Sequence, residues 1–274
     1  ECARGMFEAY GRNKYSATGI TTWKYDAAWP ASPTWQYIDW YLNPTAGYYA
    51  AQKACEPLHV LYAYDDKSVY VVNSLYKDFH GLKVRAQLLD LNMKKRWEKE
   101  TTLDVSADGK AKAFEAEMPQ GISKCHFLAL SMEDGQGEVV SENFYWLSTV
   151  PDVSNEMEAI FDLAFNKPAS VADFKDLNSL PPVKLNVQSR FEDEDGERVA
   201  RVTLENPSSH LAFFVRLLLT RGENGPEISP AFWSTNCVSL LPGASKTLTA
   251  RFAGAPADGA SAPFVKVTGW NVSQ

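Results

Sequence analysis

Trp23, Tyr25, Asp26 and Trp29 fall within one short stretch of the chain. Indole and phenol rings present flat apolar faces with a polar edge, and a carboxylate among them accepts hydrogen bonds. Together they suit a sugar ring, which has apolar C–H faces and a rim of hydroxyls. The competing reading is that these rings fill a core or an interface. Periodicity favours filler for Trp35, Trp40 and Tyr41, and leaves Trp23 evenly placed between the two.

Other residue types give weaker leads. Glu1 and Glu8 sit on a predicted first helix, while 192-EDEDGE-197 and Asp65-Asp66 occupy hairpin turns, where Asp serves turn chemistry and solvation. No Gly-rich phosphate loop, GxSxG elbow or HExxH pair occurs. His59, His80, His126 and His210 are isolated, with no pair at helical ligand spacing, so no metal or other cofactor is expected. Cys2, Cys55, Cys125 and Cys237 are too widely spaced for a CxxC motif and are expected to be buried free thiols. The sequon at Asn271 is a surface-loop pattern of little specificity.

Composition narrows the class. The chain has 274 residues, 45% of them hydrophobic, enough for about two ordinary domains with real cores. Its net charge is -7 and its Lys and Arg are scattered, so it lacks the electrostatic footprint of a nucleic-acid binder. No apolar run approaches the roughly 20 residues that cross a bilayer, and residues 1 to 20 do not read as a secretory signal. No membrane partner is expected.

The elements that must hold these residues come in two kinds. In 1-ECARGMFEAYGRNKY-15 the apolar Ala3, Met6, Phe7 and Tyr10 recur at helical spacing, and Gly11 with Asn13 supplies the stop. The β-branched run 17-ATGITTW-23 predicts a strand buried on both faces, as parallel strands are. Trp23 would then stand at its C-terminal end, where α/β folds place their sites. Ser32-Pro33 resembles an N-cap with Pro at the first helical position, predicting helices in 34–42 and 45–56. Helix, buried strand, loop and helix is a piece of α/β layering too small to bury itself.

From Pro57 the period changes. Short strands with turn signals such as Asp65-Asp66-Lys67, Asp108-Gly109 and 134-DGQG-137 predict an Ig-like sandwich over 57–150. Residues 151–182 read as a linker with a helical turn near 170–174 capped by Ser170, and a second sandwich follows over 183–274. Trp233 and Trp270 are candidates for a sugar-binding surface of this sandwich, with burial in its core the favoured reading for both. The fold class is therefore mainly β: two Ig-like sandwiches preceded by an α/β piece over 1–56.

Several blocks in order carry a resemblance: 4-RGMFEAYGRNKYSATGITTWKYDAAWP-30, 39-DWYLNPTAGYYAAQKACEPLHVLYAYDDKSV-69, 143-NFYWLST-149, 178-NSLPPVKL-185, 212-AFFVR-216, 230-PAFWSTNCVSLLPG-243 and 269-GWN-271. Together they resemble the C-terminal portion of glycoside hydrolase family 2, in the branch of exo-β-D-glucosaminidases, β-mannosidases and mannosylglycoprotein endo-β-mannosidases. The resemblance implies that 1–56 is the last helix-strand-helix segment of a (β/α)8 barrel, with ATGITTW as its eighth strand and Trp23 flooring the subsite of the sugar to be cleaved. It implies retaining hydrolysis by two carboxylates about 5 Å apart. Those carboxylates lie on barrel strands four and seven, before residue 1, so no catalytic residue is assigned here. It also implies an oligosaccharide or polysaccharide substrate reached through the rest of the barrel, and a secreted or periplasmic setting. The chain departs from the family where Asp26-Ala27 replaces the usual Asn-Asn or Asn-Asp. A carboxylate there suits an amino sugar's ammonium, a different hydroxyl pattern, or the loop's own backbone N–H groups. The alternative function is a non-catalytic carbohydrate-binding or scaffolding module.

Overall fold

A computed structural model describes residues 2–30, 36–153, 168–252 and 262–273. Its secondary structure is mostly β. The first seven strands are β1 (Leu58–Tyr62), β2 (Ser68–Asn73), β3 (Phe79–Leu89), β4 (Lys95–Val105), β5 (Lys110–Glu115), β6 (Cys125–Glu133) and β7 (Val139–Ser148). They form antiparallel sheets of order β1-β2-β5 and β4-β3-β6-β7. In β3, Leu82, Val84, Ala86 and Leu88 point inward while Lys83, Arg85 and Gln87 alternate with them, the period-two pattern of a sheet with one wet face. Val60, Val69 and Val71 from the facing sheet close the core together with Leu128, Leu130 and Tyr145.

The second sandwich holds β8 (Asn186–Glu194), β9 (Glu197–Glu205), β10 (Ala212–Arg221), β11 (Ala231–Trp233), β12 (Val238–Leu240), β13 (Ser245–Phe252) and β14 (Pro263–Thr268). Its sheets run β11-β13-β9-β8 and β12-β10-β14. The three-residue strands β11 and β12 carry too little alternation to be read from sequence. Both Ig-like sandwiches are thus present as expected.

The two sandwiches share a packed joint. Phe127 on β6 and Trp146 on β7 meet Phe213 on β10, with ring centroids 6.0 and 5.2 Å apart, and Leu177 and Leu180 from the connecting segment complete the cluster. Lys246 on β13 pairs with Glu142 on β7 across the same joint. In the connection a 3-10 turn spans Lys175–Ser179, later than the expected one, because Ser170 is taken up in a bridge with Val153.

Two helices precede β1. The first, α1 (Cys2–Arg12), forms where the spacing predicts, but its buried face is Arg4 and Glu8 rather than the apolar set, and Met6 is exposed. The surface it meets explains this, since that surface is a polar patch of β1 and β7. The second, α2 (Ala46–Ala54), packs against α1 and sends Tyr49 into the core of the second sandwich. One short segment therefore seats against both sandwiches.

Two local expectations fail. Residues 18–22 form no strand; among the described residues the run 17–23 is paired only through a bridge between Lys14 and Ala17. A parallel strand is stable only between other strands, and none of the described strands pairs with it. Residues 36–42 form no helix either, because Ile38 bridges Asp26 on one side and Pro44 on the other. The Ser32-Pro33 cap and Trp35 lie outside the described residues. Cys125 is buried as expected, whereas Cys2 and Cys55 are exposed. No helix among the described residues is long and apolar enough to cross a membrane.

Candidate functional site

The aromatic loop is anchored before it projects. Lys14 donates from Nζ to the Asn73 carbonyl at 2.8 Å and to Asp108 Oδ1 at 2.6 Å, fixing the end of α1 against the first sandwich. The chain then runs free through 18–22 and turns at Lys24, whose φ is +66°. It is caught again where the Tyr25 carbonyl accepts from the N–H groups of Tyr37 at 2.9 Å and Ile38 at 3.1 Å, and where Ala27 N–H donates to the Ile38 carbonyl at 3.0 Å. The Tyr25 and Tyr37 rings stack with centroids 6.2 Å apart.

All four expected site residues lie on the surface of this loop. Trp23 is 82% exposed, Tyr25 59% and Trp29 67%, and Asp26 is also exposed. The Asp26 carboxylate has no hydrogen-bond partner among the described residues, so it does not cap its own loop there; Asp39 does that work nearby, accepting from Tyr41 N–H at 2.9 Å and Asn43 N–H at 2.8 Å. Trp40 and Tyr41, expected as filler, are exposed as well. Burying a large ring is worth about 2–3 kcal/mol, which these five exposed rings do not gain within the described residues. Among the described residues only Tyr25 of the four stacks on another ring.

A second cluster was hidden from sequence reasoning because its members are far apart in the chain. Glu8 Oε1 accepts from His59 Nε2 at 3.0 Å, Asn143 Nδ2 at 2.7 Å and the Tyr145 hydroxyl at 2.8 Å. His59 Nδ1 donates to Glu56 Oε2 at 3.3 Å. Arg4 donates to Asn143 Oδ1 at 2.9 Å and to the Phe144 carbonyl at 2.7 Å, and its guanidinium lies 4.1 Å from the centre of the Tyr145 ring. Burial pulls the His59 pKa down, yet hydrogen bonds and charge from Glu56 and Glu8 win and hold it above its ordinary value. Burial, and then the Glu8 charge, push the Tyr145 phenol far up. With Glu8 and His59 sealed from water, the cluster clamps α1 to β1 and β7 and offers no entry to a substrate.

No group of three or more His, Cys, Asp or Glu among the described residues could hold a metal ion. Trp233 is buried in the second sandwich as expected, but Trp270 is 56% exposed. Its indole N–H is held by the Leu177 carbonyl at 3.1 Å, which fixes the ring at the edge of the joint instead of inside the core.

Comparison with known proteins accounts for both sandwiches. Residues 65–150 match the model of a mannosidase Ig/CBM-like domain, and residues 164–272 that of an exo-β-D-glucosaminidase Ig-fold domain. An exo-β-D-glucosaminidase of Streptomyces avermitilis is 37% identical over the whole chain, and one of Amycolatopsis orientalis is 33% identical over 99% of it. The chain spans 31% and 27% of the length of these two proteins. The crystal structure of the exo-chitosanase CsxA of Amycolatopsis orientalis superposes with a TM-score of 0.90 at 33% identity, over 98% of this chain and 32% of that one. A complex of CsxA with PNP-β-D-glucosamine superposes with a TM-score of 0.89 at 32% identity, over the same shares of the two chains. With both sandwiches matched in order, and relatives of one kind spanning its full length, the chain belongs to glycoside hydrolase family 2, in the exo-β-D-glucosaminidase branch, and corresponds to the C-terminal part of those proteins.

Proposed function

We propose that the chain serves a retaining β-glycosidase that removes terminal β-linked glucosamine or mannose from oligosaccharides. It supplies the loop of Trp23, Tyr25, Asp26 and Trp29 as a sugar-facing wall, together with two Ig-like domains that hold that loop in place. The observation that carries this reading is the exposure of Trp23, Tyr25 and Trp29 on one anchored loop, in a chain whose relatives are exo-β-D-glucosaminidases.

In this reading residues 1–56 are the last helix-strand-helix segment of a (β/α)8 barrel, and 18–22 is a strand whose neighbours lie elsewhere in the barrel. The domain limits 57–150 and 183–274, with a linker over 151–182, are part of the same proposal. The chemistry needs one carboxylic acid to protonate the leaving oxygen and a second to attack the anomeric carbon. This chain contributes neither, so by itself it is inactive. Its own residues bind and orient: the Trp23 face stacks on the C–H face of the terminal sugar, and Asp26 accepts from that sugar's hydroxyls or ammonium. A charge-assisted hydrogen bond to an ammonium favours glucosamine over mannose.

Assays on aryl β-glucosaminide and β-mannoside test this, using the 274-residue chain alone and a protein that also carries a complete barrel. Turnover is expected only from the second, with kcat/KM lowered by about tenfold or more by Trp23→Ala. Turnover by the chain alone, or a Trp23→Ala protein of undiminished kcat/KM, overturns the assignment.

A further inference from the structure

Trp270 follows β14 on an outer face and is held from several directions. Its indole N–H donates to the Leu177 carbonyl at 3.1 Å, its backbone N–H donates to the Phe213 carbonyl at 3.0 Å, and its ring meets the Phe213 ring edge-on at 6.4 Å. The residue before it packs so closely that a Cβ on Gly269 would fall 2.6 Å from Val272 Cγ2. An indole fixed this firmly, yet 56% exposed, gives up little rotamer freedom on meeting a ligand.

The ring borders a cleft of about 540 Å³ between the connecting segment and the second sandwich, whose other walls include Asn178, Leu180, Pro182 and Ser273. The cleft is shallow and open to solvent rather than enclosed. No residue lining it is ionisable. Asn178 is exposed, and its side-chain amide has no hydrogen-bond partner among the described residues. Because the polar edge of Trp270 is committed to Leu177, what remains for a ligand is the apolar face. An apolar aromatic face, a free amide and uncharged walls exclude phosphates and polycations as preferred ligands. They match the C–H face and hydroxyl rim of a pyranose.

We propose that this cleft is a second, non-catalytic saccharide site, which holds a β-linked pyranose chain by stacking on Trp270 and by hydrogen bonds to Asn178. It rests on the saccharide reading above and deepens it: the sandwich would hold the polymer while its end is processed elsewhere. Recognition through C–H faces is indifferent to amine charge, so acetylated and free glucosamine oligomers are held alike.

Isothermal titration of the 274-residue chain with glucosamine hexamer and with N-acetylglucosamine hexamer, at about 0.15 and 0.5 M salt, tests the site. Both oligomers should bind within about threefold of each other and with little salt dependence, since no charge lines the cleft. Trp270→Ala should weaken binding about tenfold or more, as loss of a buried aromatic anchor does. Asn178→Ala, at an exposed position that leaves the fold intact, should weaken it severalfold. Equal binding by wild type and Trp270→Ala, binding of the charged oligomer alone that salt abolishes, or no binding of either would overturn the proposal. So would a wild-type dimer that Trp270→Ala converts to monomer, which would make the cleft a self-interface. The catalytic reading fails separately, on turnover of aryl glycosides by the barrel-bearing protein.

Discussion

Glu8 of α1 and His59 of β1 meet at 3.0 Å, with only 2% and 1% of their side chains exposed. Removing one member of a buried pair strands the other without a partner, which typically costs about 3–5 kcal/mol. Glu8→Ala should therefore lower the apparent unfolding free energy by about that amount in a denaturant titration. Glu8→Gln, which keeps a carbonyl acceptor for Tyr145 and Asn143, should lose less. Equal losses from the two variants would mean that shape, not hydrogen bonding, holds the helix.

The same cluster sets a pH dependence. The folded His59 pKa is raised above 6.5, so its contribution is fully present below that value and is lost as pH rises through the folded one. For Glu56 burial works upward, but His59 and Lys53 outweigh it and the folded pKa falls below 4.5; its contribution is present above that value and is lost as pH falls through the folded one. Arg4, Lys53, Glu142 and Lys246 complete the surrounding charges. The difference in Tm between wild type and His59→Gln should be largest near pH 4.5–6.5 and should shrink in more alkaline buffer. A difference that grows with alkalinity would contradict the assigned shift.

Two tryptophans should separate cleanly in thermal unfolding. Trp233 is 5% exposed in the second core, and Trp233→Ala should cost about 3–5 kcal/mol. Trp23 is 82% exposed, and Trp23→Ala should stay within about 0.5 kcal/mol of wild type. A large loss from Trp23→Ala would show that the loop packs on something other than a ligand.

The sequon at Asn271 should stay unmodified. Its Nδ2 donates to the carbonyls of Pro181 at 2.7 Å and Leu211 at 2.8 Å, and its Oδ1 accepts from Phe213 N–H at 2.9 Å. A glycan on that nitrogen would displace at least one of these bonds. Protein secreted from a glycosylating host should show the bare mass by intact mass spectrometry, and Asn271→Ala should cost about 1–3 kcal/mol for the backbone groups left unpaired.

The sandwiches were legible because alternation along strands such as β3 is local, and a turn signal ends each strand. The helix α1 was legible from its spacing, but its buried face was not. Glu8 reads only as a carboxylate on a predicted helix until β1 and β7, more than fifty and more than a hundred and thirty residues away, bring His59, Asn143 and Tyr145 to it. The aromatic loop was found by residue type alone, and the strand expected to lead into it was not formed because strand pairing belongs to neighbours, not to the run itself. Trp270 was misplaced for a related reason, since the carbonyl that holds it at the surface comes from Leu177 in the connecting segment.

Tyr49 carries one more consequence. It belongs to α2 but sits among the core side chains of the second sandwich, with its helix braced on α1 and α1 clamped to the first. A copy of residues 183–273 transplanted into another protein would carry a slot shaped for a ring it no longer possesses. The two sandwiches are thus poor candidates for modular exchange, and recombination within this lineage should disfavour any cut between the domains.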